Sequence, residues 1–366
     1  MSQVRHVLGI SGGKDSAALA IYMKTKYPNL ALEYYTCDTG KELDETYLLI
    51  ERLEGFLGQK IMQLRAVEKS HEDPFDHFLA RKGGYLPSSL IRWCTRSLKL
   101  EPFEQFVGND SVISYVGIRG DEDREGYIST KPNIQSIFPF RQNIWSEDVV
   151  GKVLANGNME NMLDLCSNTI LENVSARFLE LLGQPISLEF QRPQKLRSLL
   201  SLNAKDFNRL VFAWLKSTQY PLALESVFPL VENDENLGIN DIFRLLKESG
   251  VGVPAYYNKV SFEVKGYKGE YARSRSGCYF CFFQQRIEWV WLYEQHPDMF
   301  FKAMEYEKDG YTWGQNESLA ELIQPERIEQ IKLEYLQKGN LSKRQSPFLL
   351  DTIEEEEEVG CAACFL

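Results

Sequence analysis

The hexapeptide Ser11-Gly12-Gly13-Lys14-Asp15-Ser16 sets two glycines, two hydroxyls and a lysine between the apolar runs Val7-Leu8-Gly9-Ile10 and Ala17-Ala18-Leu19-Ala20-Ile21-Tyr22-Met23. These residue types suit an anion. A buried strand would enter a glycine turn that opens a helix, whose free N–H groups and positive dipole end then face a phosphate. Gly12 and Gly13 permit positive φ and close backbone approach, Ser11 and Ser16 offer hydroxyls, and Lys14 supplies a mobile positive charge. A Walker A loop needs a glycine five residues before its Gly-Lys pair and a Ser or Thr directly after the lysine. Leu8 and Asp15 stand at those positions and argue against it.

Three further groups can do chemistry. In Cys37-Asp38-Thr39-Gly40 the Asp38 carboxylate, after an apolar run, could hold magnesium or a ribose hydroxyl, and Gly40 permits a tight turn. In Gly117-Ile118-Arg119-Gly120-Asp121-Glu122-Asp123-Arg124, Arg119 and Arg124 could neutralise phosphate or sulfate oxygens while the carboxylates order the arginines or a metal. The alternative is a surface charge cluster. The last group is Cys94, in Arg92-Trp93-Cys94-Thr95-Arg96, with the pair Cys278 and Cys281. A two-residue gap lets both thiolates of such a pair reach one metal from a single turn. Arg273, Arg275 and Arg286 nearby would lower thiolate pKa and offset cluster charge. Three thiolates would leave one position open on a four-iron cluster, whereas structural zinc would need a fourth ligand; three buried reduced cysteines are the plain alternative. Cys37 could be a fourth ligand only if folding brings it near Cys94, and otherwise lines a pocket or is buried. His6, His71, His77 and His296 show no metal-ligand spacing.

Elements that would position these residues are legible around them. Candidate strands at 4–10, 31–36, 59–64 and 111–118 alternate with helical periodicity at 17–26 and 45–57. This predicts an α/β fold with a doubly wound, mostly parallel sheet, ligands binding at the carboxyl ends of its strands. The order of segments divides the chain into a nucleotide-binding core at 1–150, a helical insertion at 151–245 with helices at 176–182, 204–216 and 239–247, a second part of the core at 246–344, and a disordered acidic tail at 345–366. The tail carries Glu354 to Glu358 and ends in Cys361-Ala362-Ala363-Cys364-Phe365-Leu366, a CxxC that could carry sulfur as a persulfide or be tolerated in a loose end. A net charge of −11 over 366 residues argues against bulk electrostatic grip on nucleic acid, leaving a local groove or a basic partner protein as its route. Seven cysteines without a secreted framework, no membrane-length apolar run and no leader-like N-terminus point to the cytoplasm.

Taken in order, SGGKDS, CDTGKELDE, RWCTRSLKLEPF, GIRGDEDRE, FPFRQNIWSEDVV and CYFCFFQQRIEW resemble the phosphoadenosine phosphosulfate (PAPS) reductase family in its broad sense. That family sits among the PP-loop adenine-nucleotide alpha-hydrolases and takes in the ATP-sulfurylase small subunit and the DndC-type proteins of DNA phosphorothioation. The resemblance covers roughly residues 5–150 and 250–305 and implies that Ser11, Gly12, Gly13, Lys14, Asp15 and Ser16 bind nucleotide phosphates. It further implies that Asp38, Thr39, Gly40 and Gly117 line the nucleotide site, that Arg119 contacts phosphate with Lys14 and Asp15 as the catalytic residues beside it, and that Cys94, Cys278 and Cys281 are cluster cysteines. The lysine-containing loop is similar to ATP-consuming members, closest in character to the DndC type: an ATP pyrophosphatase with Mg2+ that adenylates an acceptor for sulfur transfer, with a [4Fe-4S] cluster rather than zinc. The acceptor would be a DNA backbone phosphate, a tRNA base or a small molecule; for a nucleic-acid acceptor, a basic partner protein docked on the helical insertion is expected to present it. Alternatives are a PAPS or APS reductase using a tail cysteine, a nucleotide-binding subunit of a phage-defence assembly, and a zinc ligase of the 7-cyano-7-deazaguanine synthase type.

Overall fold

The computed structural model describes residues 4–67, 71–122, 129, 131–167, 174–308, 310–314 and 317–345, with side chains of the last helix described to residue 338. Asp123 and Arg124, the acidic run, Cys361 and Cys364 lie outside the described residues. The α/β expectation holds. Strands β1 (Arg5–Gly9), β2 (Leu32–Cys37), β3 (Met62–Leu64), β4 (Val112–Tyr115) and β5 (Ile134–Ile137) form one sheet in the order β3-β2-β1-β4-β5, every neighbouring pair parallel. The order reverses at β1, so a crevice opens between the carboxyl ends of β1 and β4.

Helix α1 (Lys14–Lys26) begins three residues before the expected 17–26, because Lys14, Asp15 and Ser16 already form its first turn with Gly13 as N-cap. Helix α2 (Asp44–Leu57) matches the expected 45–57 closely and closes on Gly58 in the left-handed region. β5 carries polar Gln135 and Ser136 and so lacks an apolar signature. Both are buried, and Gln135 Oε1 accepts a hydrogen bond from the Leu222 N–H at 3.0 Å. Within residues 151–245 the helices Ala176–Leu182 and Ile239–Glu248 fall where periodicity puts them. The helix Arg192–Leu215 breaks at Asn203, whose side chain accepts from the Asp206 N–H at 3.1 Å, so its second half starts at the expected 204.

Leu199, Phe207, Leu210 and Val211 of this helical stretch pack in the same buried cluster as Leu8 and Ile10 from β1 and its exit and Ala18 and Ile21 from α1. A second cluster joins Phe75, Trp93 and Leu98 to Tyr256, Phe280, Trp289 and Trp313. It also takes in an antiparallel hairpin, β6 (Val260–Val264) and β7 (Tyr267–Tyr271). Among the described residues no helix is long and apolar enough to cross a membrane.

Candidate functional site

The glycine turn leaves β1 at the crevice as the sequence requires. Gly12 has φ +74°, and a Cβ there would lie 2.2 Å from Thr46 Cγ2, so this position accepts only glycine. Ser16 Oγ accepts from the Ser11 N–H at 3.1 Å and donates to the Gly13 carbonyl at 3.2 Å, which closes the loop on itself. Lys14 and Asp15 are buried at 4% and 6% exposure. Lys14 Nζ donates to the Ser274 carbonyl at 3.2 Å, lies 3.5 Å from Asp15 Oδ2 and stands 5.0 Å from the Tyr257 ring centroid. The Lys14 N–H donates to Tyr257 Oη at 3.3 Å, and a Cβ on Gly13 would meet Ser276 Oγ at 2.6 Å. A strap of hydroxyls and backbone from Tyr257 and 274–276 thus lies over the N-terminal end of α1.

Gly117 and Arg119 arrive from β4 on the other side of the crevice. A Cβ on Gly117 would sit 3.0 Å from the Asp15 carbonyl oxygen, so this glycine lets strand and loop approach. Arg119 is 1% exposed and pairs with Asp15 at 3.1 Å, Asp121 at 2.8 Å and Glu122 at 2.9 Å. In this state its guanidinium is engaged by carboxylates and holds Asp15 in place.

Asp38, beyond β2, is likewise committed. Its Oδ2 takes two hydrogen bonds from Arg65 at 3.1 and 3.0 Å, and its Oδ1 accepts from Tyr47 at 3.0 Å and the Gly40 N–H at 2.9 Å. Gly40, with φ +75°, turns against Asp73, which with Asp76 binds Lys41 at 3.0 and 2.7 Å. Burial alone would lower the Lys41 ammonium, but the hydrogen bonds to Asp76 and Asp73 outweigh it and raise its pKa.

The second and fourth sequence groups meet here. Glu42 pairs with Cys278 in an antiparallel bridge, the Tyr279 N–H donates to the Lys41 carbonyl at 2.9 Å, and Thr39 Oγ1 lies 3.2 Å from Cys278 Sγ. Cys94, Cys278 and Cys281 line one cavity with Lys99, Leu98, Phe75, Phe280 and Phe282. Among the described residues, however, no three His, Cys, Asp or Glu side chains are grouped so as to hold a metal ion. The expected lowering of thiolate pKa is corrected for Cys278. Burial first, and the Glu42 charge second, push this thiol well above its ordinary value, while Arg273 donates to the Cys278 carbonyl at 3.1 Å rather than to its sulfur. Burial also pushes Cys37 up to about 12. Cys37 lines the small space between Ser11, Asp38 and Lys99, the outcome expected unless folding made it a fourth ligand.

Sequence reasoning gave Arg273 only a role toward the thiols. It is 3% exposed, its Nε and Nη1 are buried without a hydrogen-bond partner, and its guanidinium lies 5.8 Å from the ring of Tyr256, whose hydroxyl donates to the Gly12 carbonyl at 3.0 Å. Between the glycine loop and the cysteine turn, this buried guanidinium therefore keeps two donors that no acceptor meets among the described residues. Its signal was the stretch Tyr256-Tyr257 followed by Arg273-Ser274-Arg275-Ser276 directly before the cysteine pair.

Residues 5–140 match the family described as phosphoadenosine phosphosulfate reductase domain, so just over a third of the chain is similar to a nucleotide-using enzyme domain. An uncharacterized protein of Methanocaldococcus jannaschii is 30% identical over 154 residues, 38% of this chain and 30% of that protein. The chain thus spans under a third of that relative's length. No solved structure matches significantly.

Proposed function

We propose that this chain is an ATP pyrophosphatase that activates an acceptor by adenylation for replacement of oxygen by sulfur. The carrying observation is the Gly12–Ser16 turn at the head of α1, set at the switch point of the sheet with Gly117 packed against it. An acceptor oxygen attacks the α-phosphorus, the bond to the bridging oxygen breaks, and pyrophosphate leaves into the helix N-terminus; a sulfide nucleophile then bonds to the activated centre as its bond to oxygen breaks and AMP leaves. Lys14 and Arg273 neutralise the departing charge, and Arg119 fixes Asp15. Mg2+ would supply further charge neutralisation, with Asp15 or Asp38 as its carboxylate once released from its present ion pair. Cys94, Cys278 and Cys281 would hold an iron–sulfur cluster. All three line one cavity, and a bound metal would deprotonate a thiol that burial otherwise keeps neutral. When bound, the cluster would offer one open iron to exogenous sulfide.

The test is release of pyrophosphate from ATP by the full chain over a panel of oxygen acceptors. Lys14→Ala and Asp15→Asn are expected to cut release at least a hundredfold; equal release in both variants would defeat the assignment. The similarity of residues 5–140 to a phosphoadenosine phosphosulfate reductase domain favours a second reading, reduction of a sulfonucleotide. It predicts release of sulfite from PAPS or APS without consumption of ATP, lost on replacement of Cys361 or Cys364.

A further inference from the structure

Beyond the cysteine cavity lies a larger one of about 290 Å3, lined by Gln284, Phe282, Trp289, Trp313 and Arg286. That volume is at the lower end for small-molecule pockets. Phe282 and Trp313 line both cavities, and the Gln284 N–H donates to the Cys281 carbonyl at 2.8 Å, so one turn carries the thiol pair and this pocket. Gln284 is 9% exposed, and both its Nε2 and its Oε1 are buried without a hydrogen-bond partner among the described residues. The Trp313 indole N–H is already used, donating to the Ala303 carbonyl at 2.9 Å, which leaves its ring as an apolar wall. Arg286, at the rim, is held by Glu317 at 3.3 Å, so the pocket has no surplus of charge to attract an ion.

An amide presents one donor and one acceptor side by side. Left idle in a cavity walled by Phe282, Trp289 and Trp313 and bordered by Ser88, Ser89 and Glu317, it is matched by a flat ring with the complementary pair on one edge, and indole and phenyl faces stack such a ring without regard to its charge. We infer that this cavity binds a nucleobase: Gln284 pairs with the base edge and the aromatic walls hold its faces, one side chain away from the cysteines. As the acceptor pocket this rests on the proposed adenylation and sulfur transfer; as a base-binding site it does not.

The experiment is isothermal titration of the full chain with adenosine, guanosine, cytidine, uridine and a short single-stranded oligonucleotide, the loop site first saturated with α,β-methylene ATP. At least one ligand is expected to bind, about tenfold more weakly to Gln284→Leu and Gln284→Met, with Tm unchanged or raised because an idle buried amide has been replaced by an apolar group of similar size. A free nucleoside that binds identifies a free base as the source, and binding of the oligonucleotide alone identifies a base within a strand. Absence of binding by every ligand, equal binding by both variants, or a lowered Tm in both would overturn the site. Since binding is read with the loop blocked, that failure leaves the pyrophosphatase reading intact. Absent pyrophosphate release, in turn, leaves the base site intact.

Discussion

Arg273 is the side chain whose surroundings ask most for a ligand. Among the described residues it is a cation 3% exposed with one hydrogen bond, to the Cys278 carbonyl, and two buried donors idle. An unsatisfied buried polar group costs about 1–3 kcal/mol, more when charged, and an anion bound in front of it recovers that cost. Inorganic pyrophosphate should therefore raise the Tm of the wild-type chain, and the rise should be lost in Arg273→Met but partly kept in Arg273→Lys. The measurement is a thermal melt against pyrophosphate concentration. Equal shifts in wild type and Arg273→Met would show that the guanidinium serves packing alone. Arg119 is the contrast, equally buried but engaged by Asp15, Asp121 and Glu122, so its replacement should act through the position of Asp15.

At the scale of elements, the turn between β1 and α1 stands on the fit of α2 against it. With φ +74° at Gly12 and a Cβ that would fall 2.2 Å from Thr46 Cγ2, Gly12→Ala should cost about 1–3 kcal/mol, part from the backbone and part from the clash. Chemical denaturation reads the sum, and adding Thr46→Ala should return the steric part while the backbone part persists. If the single variant is neutral, or the second substitution returns nothing, the turn is not held this way. β1 was legible in the continuous apolar run Val7-Leu8-Gly9-Ile10 and α2 in the helical spacing of Leu49, Leu53 and Leu57, while β2 and β3 were read through the interruptions at Glu33 and Gln63. β5 was not, since Ile134-Gln135-Ser136-Ile137 interrupts its run with polar residues that only tertiary partners satisfy. The loop, Asp38-Thr39-Gly40 and Gly117 with Arg119 were legible as motifs at strand ends. The strap from Tyr257 and Ser274–Ser276 was not. Serine, arginine and tyrosine in a loop carry no period, and only the return of the chain across roughly 240 residues brings the Tyr257 hydroxyl to the Lys14 N–H, at |i−j| = 243.

Of the four buried clusters among the described residues, the two largest lie one behind the loop and one behind the cysteines. The helical stretch is bound into the first by polar bonds as well as by packing. Asn233, fully buried, accepts from the Tyr22 hydroxyl of α1 at 3.0 Å and donates to the Pro139 and Arg141 carbonyls at 3.1 and 3.0 Å. Asn208 beside it accepts from the Trp145 indole at 2.9 Å and donates to the Asn233 carbonyl at 3.0 Å. One asparagine therefore joins α1, the segment after β5 and the helical stretch, and its loss removes an acceptor from the Tyr22 hydroxyl and a donor from each of the Pro139 and Arg141 carbonyls. Asn233→Ala should cost about 3 kcal/mol or more. Because α1 is one of the elements joined, amide hydrogen exchange should accelerate in β1 and α1 as well as in Arg192–Leu215, all with the same change in opening free energy. Faster exchange confined to the helical stretch would mean that it unfolds apart from the nucleotide half. Coupled exchange would mean that the loop at the head of α1 is held by residues 200 positions away, and that a partner pressing on the helical stretch acts on the same cooperative unit as the nucleotide.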